Sequence, residues 1–212
     1  MNLRFSEFDA AFGALPLVAI LRGVTPDEVE GVALAVYEEG FRLIEVPLNS
    51  PAALDSIARL VCALPADAIV GAGTVMRRED VDAVHRTGAR LIVMPHADTK
   101  VIAGAKLLEM ICIPGAATPT EVFAALHAGA DAVKIFPAEL VPPAALKAMR
   151  AVVAKEIKLL PVGGITVQRM SEYRKAGASG FGLGSALYAP GMTAGTVRER
   201  ARQFVAAWKT AQ

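Results

Sequence analysis

The sequence predicts an α/β fold, a (β/α)8 TIM barrel, because short apolar runs alternate with helical segments, eight such runs occur, and their spacing is nearly constant. Successive runs begin about 20 to 27 residues apart, which accommodates one strand, one short helix and two tight loops. The eight runs are LVAILR (17–22), RLIEVP (42–47), AIVGAG (68–73), RLIVMP (90–95), MICIPG (110–115), DAVKIFP (131–137), KLLPVGG (158–164) and GFGLGS (180–185).

Most of these runs are almost uninterrupted in apolar residues, which is typical of a parallel sheet covered by helices on both faces. An open doubly wound sheet alternates strands and helices in the same way and is the alternative. Eight even units favour a closed barrel, and no GxGxxG motif follows the first run, where a dinucleotide-binding sheet would carry it. Because no linker is visible, we expect residues 1–212 to form a single barrel domain.

The segments between the runs carry signals for helix starts and ends. In the first of them Thr25 is the predicted N-cap, Pro26 lies in the first turn and Gly40 ends the helix. Later segments end on glycine in the same way, and the last helix is predicted at about residues 194–209. Ahead of the first strand, an amphipathic helix is expected to cap the N-terminal end of the barrel, with its apolar positions at Phe5, Phe8, Phe12 and Leu15.

Composition excludes several classes of function. Of the 212 residues, 22 are Lys or Arg and 21 are Asp or Glu, a net charge of +1, and no basic run is long enough to bind a nucleic-acid backbone. The sequence contains no stretch of 18 consecutive apolar residues, so it predicts no membrane span. Free cysteines at Cys62 and Cys112, without CxxC spacing, favour the reducing cytoplasm. Three scattered histidines, with no common spacing, do not predict a metal site, and we expect neither a metal nor a cofactor.

Lys134 is the most informative candidate for chemistry. It lies inside the apolar run 131–137, where an ammonium group is costly to bury unless it is paired or neutral. A shift of its pKa from about 10.4 to about 7.5 needs about 4 kcal/mol, which desolvation and a nearby cation can supply. A neutral amine would be a nucleophile toward a carbonyl carbon. The alternative is an inward lysine that completes a structural salt bridge.

Three further polar residues end strands and should meet Lys134 at the C-terminal mouth of the barrel. Glu45 alternates with Ile44 and Val46, so it points to the opposite face and can serve as a general acid or base, or only as an ionic partner. Arg22 can bind a carboxylate or phosphate and lower the lysine pKa. Thr74 offers a hydroxyl group, although a threonine here can also be a simple helix cap.

The last two units are rich in glycine where their strands end. Gly163 and Gly164 follow the seventh strand, and Gly184 and Ser185 follow the eighth. Glycine lets backbone N–H groups approach an anion, and loops seven and eight of such barrels often bind phosphate. The pair of loops therefore predicts a phosphorylated substrate.

These motifs together resemble the bacterial 2-keto-3-deoxy-6-phosphogluconate and phosphogalactonate aldolases, class I enzymes on a (β/α)8 barrel. The likeness covers nearly the whole chain, through LVAILRG, GFRLIEVPLNSP, IVGAGTV, PGAATPTE, AVKIFPAE, PVGGIT and GLGSALY. It implies a lyase, with Lys134 forming an imine, Glu45 moving protons, Arg22 and Thr74 binding the keto acid, and the glycine loops and Ser185 binding phosphate. It also implies a homotrimer.

The likeness is closer to the galactonate type, because Glu45 is followed by Val-Pro-Leu-Asn-Ser rather than the gluconate-type pattern E-x-T-L-R-T. The implied reaction is cleavage of 2-dehydro-3-deoxy-6-phosphogalactonate to pyruvate and glyceraldehyde 3-phosphate, with the gluconate epimer as the alternative substrate. Met94 departs from the small polar residue usual in the family, which leaves its role and that of His96 open. A phosphosugar isomerase or epimerase, and a non-catalytic phosphometabolite-binding barrel, remain competing functions.

Overall fold

The structure is a computed structural model that describes residues 3–210, with side chains described from Ser6 onward. Strands and helices alternate along the chain. The strands are β1 Leu17–Ile20, β2 Leu43–Pro47, β3 Ile69–Gly73, β4 Leu91–Val93, β5 Ile111–Ile113, β6 Gly115–Ala116, β7 Val133–Ile135, β8 Leu159–Pro161 and β9 Phe181–Leu183. The helices are α1 Leu3–Ala14, α2 Val29–Glu38, α3 Ala53–Ala63, α4 Arg78–His85, α5 Thr99–Leu107, α6 Pro119–His127, α7 Pro143–Arg150, α8 Val167–Lys175 and α9 Ala194–Thr210.

All strand pairs are parallel and the order closes into a ring. One sheet runs β5-β4-β3-β2-β1-β9 and the other β6-β7-β8. A parallel bridge between Val162 and Gly182 joins β8 to β9. The (β/α)8 barrel predicted from the eight apolar runs is therefore confirmed.

The fifth strand differs from its predicted run because it is split at Pro114. Its first segment, β5, pairs with β4, and its second, β6, pairs with β7. Proline has no N–H group to donate to a ladder. The strand therefore changes partner at Pro114, and this is how the two sheets become one barrel wall.

Two layers of apolar side chains hold the barrel together. An outer cluster fills the space between strands and helices, and an inner cluster fills the barrel. Phe8 and Phe12 of α1 belong to the inner cluster, together with Val18, Leu43 and Leu160. The predicted capping helix is thus confirmed, while Phe5 lies outside the described side chains.

The start of α2 does not match the prediction. The regular helix begins at Val29, and Thr25 instead opens a turn in which its hydroxyl group donates to Glu28 Oε2 at 2.7 Å. The N–H groups of Glu28 and Val29 both bond to the Thr25 carbonyl, so the segment turns without forming regular α-helix. Helix ends match better, since Gly129 and Gly177 follow α6 and α8 with φ near +100°, a conformation that favours glycine. No helix within residues 3–210 is long and apolar enough to cross a membrane.

Candidate active site

Lys134 lies in the middle of β7 with its side chain inside the barrel. The residue is 5% exposed, and its Nζ stands 4.5 Å from the centre of the Phe136 ring. Val93, Ile113 and Leu160 lie beneath it in the barrel interior. This apolar surrounding lowers the pKa of Lys134, and the charge of Arg22 lowers it further.

Glu45 reaches the same interior from β2. Ile44 and Val46 point outward into the cluster between strands and helices, as strand alternation requires. The carboxylate lies against Gly73, where a Cβ would be 1.8 Å from Glu45 Oε2, so any larger residue there would displace the carboxylate. Burial raises the pKa of Glu45 to about 7, although Lys134 and Arg22 both oppose the shift. At neutral pH this carboxyl group can therefore both accept and donate a proton.

Lys134 and Glu45 do not form a salt bridge. Neither residue has an oppositely charged atom within 4.0 Å among the described residues, and Glu45 Oε2 has no hydrogen-bond partner there. Each nevertheless acts on the pKa of the other through its charge. Two buried ionisable groups that act on each other without pairing are costly for stability, and such groups are typical of functional sites.

Arg22 follows β1 and is held by neighbouring loops. Its Nη1 donates to Asn49 Oδ1 at 2.6 Å and its Nη2 to Thr74 Oγ1 at 3.4 Å. Thr74 has φ +55°, a left-handed conformation that is strained for a β-branched residue. Strain of this kind is maintained only where the surrounding structure enforces it.

The two glycine loops face the same cavity. The N–H groups of Gly164, Ser185 and Ala186 donate to no acceptor in the part of the chain that the structure describes. The carbonyl groups of these loops are held from behind, because Arg169 Nη1 donates to Gly164 O at 2.9 Å and Arg200 Nη1 to the Ser185 and Ala186 oxygens at 3.3 Å. Unused N–H groups near two guanidinium groups make a favourable site for an anion.

The structure brings the predicted residues together. A cavity of about 330 Å³ is lined by six of them, namely Arg22, Lys134, Gly163, Gly164, Gly184 and Ser185. Thr74 and Glu45 do not line the cavity. Thr74 is linked to it by its hydrogen bond with Arg22, and Glu45 by its electrostatic interaction with Lys134 and Arg22. A larger open groove of about 720 Å³ lies between α8 and α9, but it contains neither Lys134 nor Glu45.

Several residues of the cavity were not predicted from the sequence. Phe136 lines the cavity beside Lys134, and their spacing of two within one apolar run was a signal that could have shown this. Asn49, which accepts a hydrogen bond from Arg22 but does not line the cavity, was expected near the mouth only as a polar residue after the second strand. Met94 is fully buried outside the barrel with its sulfur 3.9 Å from Cys112 Sγ, so it does not form a wall of the cavity. His96 does not line the cavity.

Comparison with known proteins places the chain in a family. The family model for KDPG and KHG aldolase matches residues 9–201. The 2-dehydro-3-deoxy-6-phosphogalactonate aldolase of Escherichia coli (strain K12) is 45% identical over 93% of this chain and 96% of its own. A 2-dehydro-3-deoxy-phosphogluconate aldolase of Treponema pallidum (strain Nichols) is 34% identical over 76% of this chain and 78% of its own.

A solved structure described as native KDPGal superposes with a TM-score of 0.91, at 45% identity, covering 93% of this chain and 96% of that one. The barrel and the match along nearly the whole length agree. The chain therefore belongs to the KDPG and KHG aldolase family.

Proposed function

We propose that this aldolase cleaves 2-dehydro-3-deoxy-6-phosphogalactonate to pyruvate and D-glyceraldehyde 3-phosphate through a Schiff base on Lys134. The observation that carries the proposal is the buried, unpaired amine of Lys134 in a cavity that it shares with Arg22 and two glycine loops. The protein needs no metal or cofactor for this chemistry, because the lysine itself supplies the electron sink once it has become an iminium.

The reaction starts when neutral Lys134 attacks the C2 carbonyl carbon of the substrate, and the C2 oxygen then leaves as water with the help of one proton taken up from the solvent, giving an iminium. The Glu45 carboxylate then takes the proton of the C4 hydroxyl group, the C3–C4 bond breaks, and its electron pair passes to the iminium to form an enamine. Glyceraldehyde 3-phosphate leaves as the aldehyde. Protonated Glu45 returns its proton to C3, and water hydrolyses the new iminium to release pyruvate, the neutral amine of Lys134 and one proton to the solvent.

The two ends of the substrate are held differently. Arg22 and Thr74 bind the carboxylate and keto group at one end, since a guanidinium group matches a carboxylate in shape and charge. The N–H groups of the loops containing Gly163, Gly164, Gly184 and Ser185 bind phosphate at the other end. A cavity of about 330 Å³ has room for a compound of this size.

The Schiff base is tested by treating the protein with pyruvate and sodium borohydride. We expect reduction to attach a three-carbon unit to Lys134, detected by peptide mass spectrometry, and Lys134→Met to carry no such mass. An unmodified wild-type protein would contradict the imine and leave an isomerase, an epimerase or a non-catalytic binding barrel as its function.

The substrate assignment rests on two observations. The residues after Glu45 have the galactonate-type pattern, and the galactonate-cleaving relative is more similar than the gluconate-cleaving one, at 45% against 34% identity. The two substrates differ only in configuration at C4. Assays of both epimers side by side, with pyruvate release coupled to NADH oxidation, are expected to give a higher kcat/KM for the galactonate. A preference for the gluconate would reverse the assignment.

We also infer that the chain acts as one domain in a cytoplasmic homotrimer. The family resemblance supports the trimer, and the free cysteines Cys62 and Cys112 suit a reducing compartment. Light scattering after gel filtration is expected to give about three times the 22.2 kDa of one chain. A mass equal to that of one chain would contradict the trimer without affecting the proposed chemistry.

A further inference from the structure

The loop after β2 holds the loop after β1 through two adjacent residues. Asn49 Oδ1 accepts a hydrogen bond from Arg22 Nη1 at 2.6 Å, and Ser50 Oγ accepts one from Gly23 N at 2.9 Å. Ser50 is buried whereas Asn49 is exposed. The backbone and the side chain at the end of β1 are thus fixed by one dipeptide, of which Ser50 anchors the backbone and Asn49 directs the guanidinium group.

Both acceptors of the Arg22 guanidinium group are neutral. Asn49 supplies an amide oxygen and Thr74 a hydroxyl oxygen, and no carboxylate lies within 4.0 Å of Arg22 among the described residues. A carboxylate would orient a guanidinium group at least as well, because charge-assisted bonds are the stronger ones. A neutral partner differs in one respect, since it leaves the positive charge uncompensated.

The charge of Arg22 acts on the two ionisable groups of the cavity. It lowers the pKa of Lys134 and opposes the rise in the pKa of Glu45. Arg22 also lines the cavity, so its remaining N–H groups can meet the carboxylate of a keto acid. Orientation and full charge are both needed for this purpose.

We propose that Asn49 is a positioning residue that holds the Arg22 guanidinium group at the cavity through a neutral acceptor and so keeps its charge available to the substrate carboxylate. This inference rests on the proposed function, because it assumes that a keto acid occupies the cavity. If the hydrogen bond from Arg22 to Asn49 served only to stabilise the fold, its loss would cost little stability because it is exposed. The substrate affinity of the folded protein would then stay unchanged when Asn49 is replaced.

Asn49→Asp tests the proposal, because it keeps the size and the acceptor but adds the negative charge. We expect the pyruvate concentration for half-maximal borohydride trapping to rise at least about tenfold, and KM for the cleaved substrate to rise with it. Asn49→Ala removes the acceptor without adding charge and should raise both values by a smaller factor. Inhibition by inorganic phosphate, which reports the glycine loops, should not change in either variant.

Gln203→Glu is the matched control, because it makes the same change from amide to carboxylate at an exposed position of α9. Its trapping and KM should equal those of the wild type. If both Asn49 variants behave like Gln203→Glu, the positioning role is wrong although the aldolase stands. If the wild-type protein itself is not trapped, the proposed function fails first. If Asn49→Asp does not fold, as judged by circular dichroism, Asn49→Ala decides alone.

Discussion

The two ends of the barrel differ in whether their charged residues are paired. At the N-terminal end, basic residues directly before strands are paired, as in Arg42 with Asp67 at 2.6 Å and Lys158 with Asp9 at 2.8 Å. At the C-terminal mouth, Arg22 and Lys134 line one cavity and Glu45 interacts electrostatically with both, with no ion pair among these three in the described residues. Charges that are paired satisfy one another, whereas unpaired charges remain available to a ligand.

This contrast teaches which substitutions should affect stability and which should affect turnover. Removing a charge at the mouth relieves an unfavourable burial and disables chemistry, so function falls while stability holds or rises. Removing a charge at the N-terminal end leaves its partner uncompensated, so stability falls while the kinetics hold. Five predictions test this division, beginning with the largest effect.

Lys134→Met is expected to abolish cleavage, with a loss of at least about 10⁴-fold in kcat, because Lys134 is the only amine among the described residues that line the cavity. The melting temperature should stay the same or rise, since methionine fills a similar volume without a charge to bury. Pyruvate release and thermal denaturation measure the two quantities. Cleavage at more than about one hundredth of the wild-type rate would contradict the role of Lys134.

Glu45→Gln is expected to slow cleavage by about 10²- to 10⁴-fold, because the amide cannot accept the C4 hydroxyl proton. In the wild type, kcat/KM should fall as pH drops below about 7, where the carboxyl group becomes protonated. The variant should lack this dependence. A Glu45→Gln protein with the wild-type rate and pH profile would show that another group moves the proton.

Asp131→Asn tests a paired charge at the N-terminal end of the barrel. Asp131 Oδ2 lies 2.6 Å from Lys106 Nζ and accepts a bond from Cys112 N, and its side chain is 4% exposed. Loss of the carboxylate is expected to lower the free energy of unfolding by about 3 kcal/mol. Urea denaturation measures this, and the kcat of the folded protein serves as the control. A tenfold fall in kcat would contradict the expectation that charges at the N-terminal end affect stability and not turnover.

Glu45 should also make stability depend on pH. Its pKa is about 7 in the folded protein against 4.5 for an unperturbed group, so the folded state holds the proton more tightly. The tighter binding of the proton stabilises the folded state fully below pH 4.5. This stabilisation, about 3 kcal/mol of unfolding free energy, is lost as the pH rises through about 7. Glu45→Gln should therefore gain stability relative to the wild type between pH 5 and pH 8 in urea titrations. A constant difference would mean that Glu45 does not titrate in this range.

Asp9→Asn is expected to have the smallest effect. Its partner Lys158 is 25% exposed and Asp9 itself 63% exposed, and exposed pairs contribute less than about 1 kcal/mol. The loss should shrink further in 1 M salt, where screening is strong, and turnover should not change. A loss of unfolding free energy as large as that of Asp131→Asn would mean that the exposure of an ion pair at this end does not determine how much the pair contributes to stability.

Much of the fold followed from local patterns. Each apolar run became a strand because a buried strand must be apolar on both faces, and Gly129 and Gly177 ended their helices because positive φ favours glycine. The break at Pro114 and the later start of α2 were missed. Both depend on which groups the backbone meets across the fold, and a single-sequence pattern does not contain that information.

The sequence predicted which residues belong to the candidate site, but it did not predict the contacts among them. Lys134 and Glu45 were conspicuous because charges are rare inside apolar runs. Asn49 was not conspicuous, because its importance lies in an acceptor placed 2.6 Å from a residue 27 positions away. The sequence left the role of Met94 open, and the structure buries it outside the barrel against Cys112.

The amino-acid sequence by itself determined eight strand-helix units and which polar side chains end each strand, because periodicity and glycine placement act over a few residues. Tertiary structure decided which of those side chains pair and which stay unpaired. It also decided that Glu45 titrates near neutrality, because the dielectric and charge around a carboxyl group depend on strands brought together only when the ring closes.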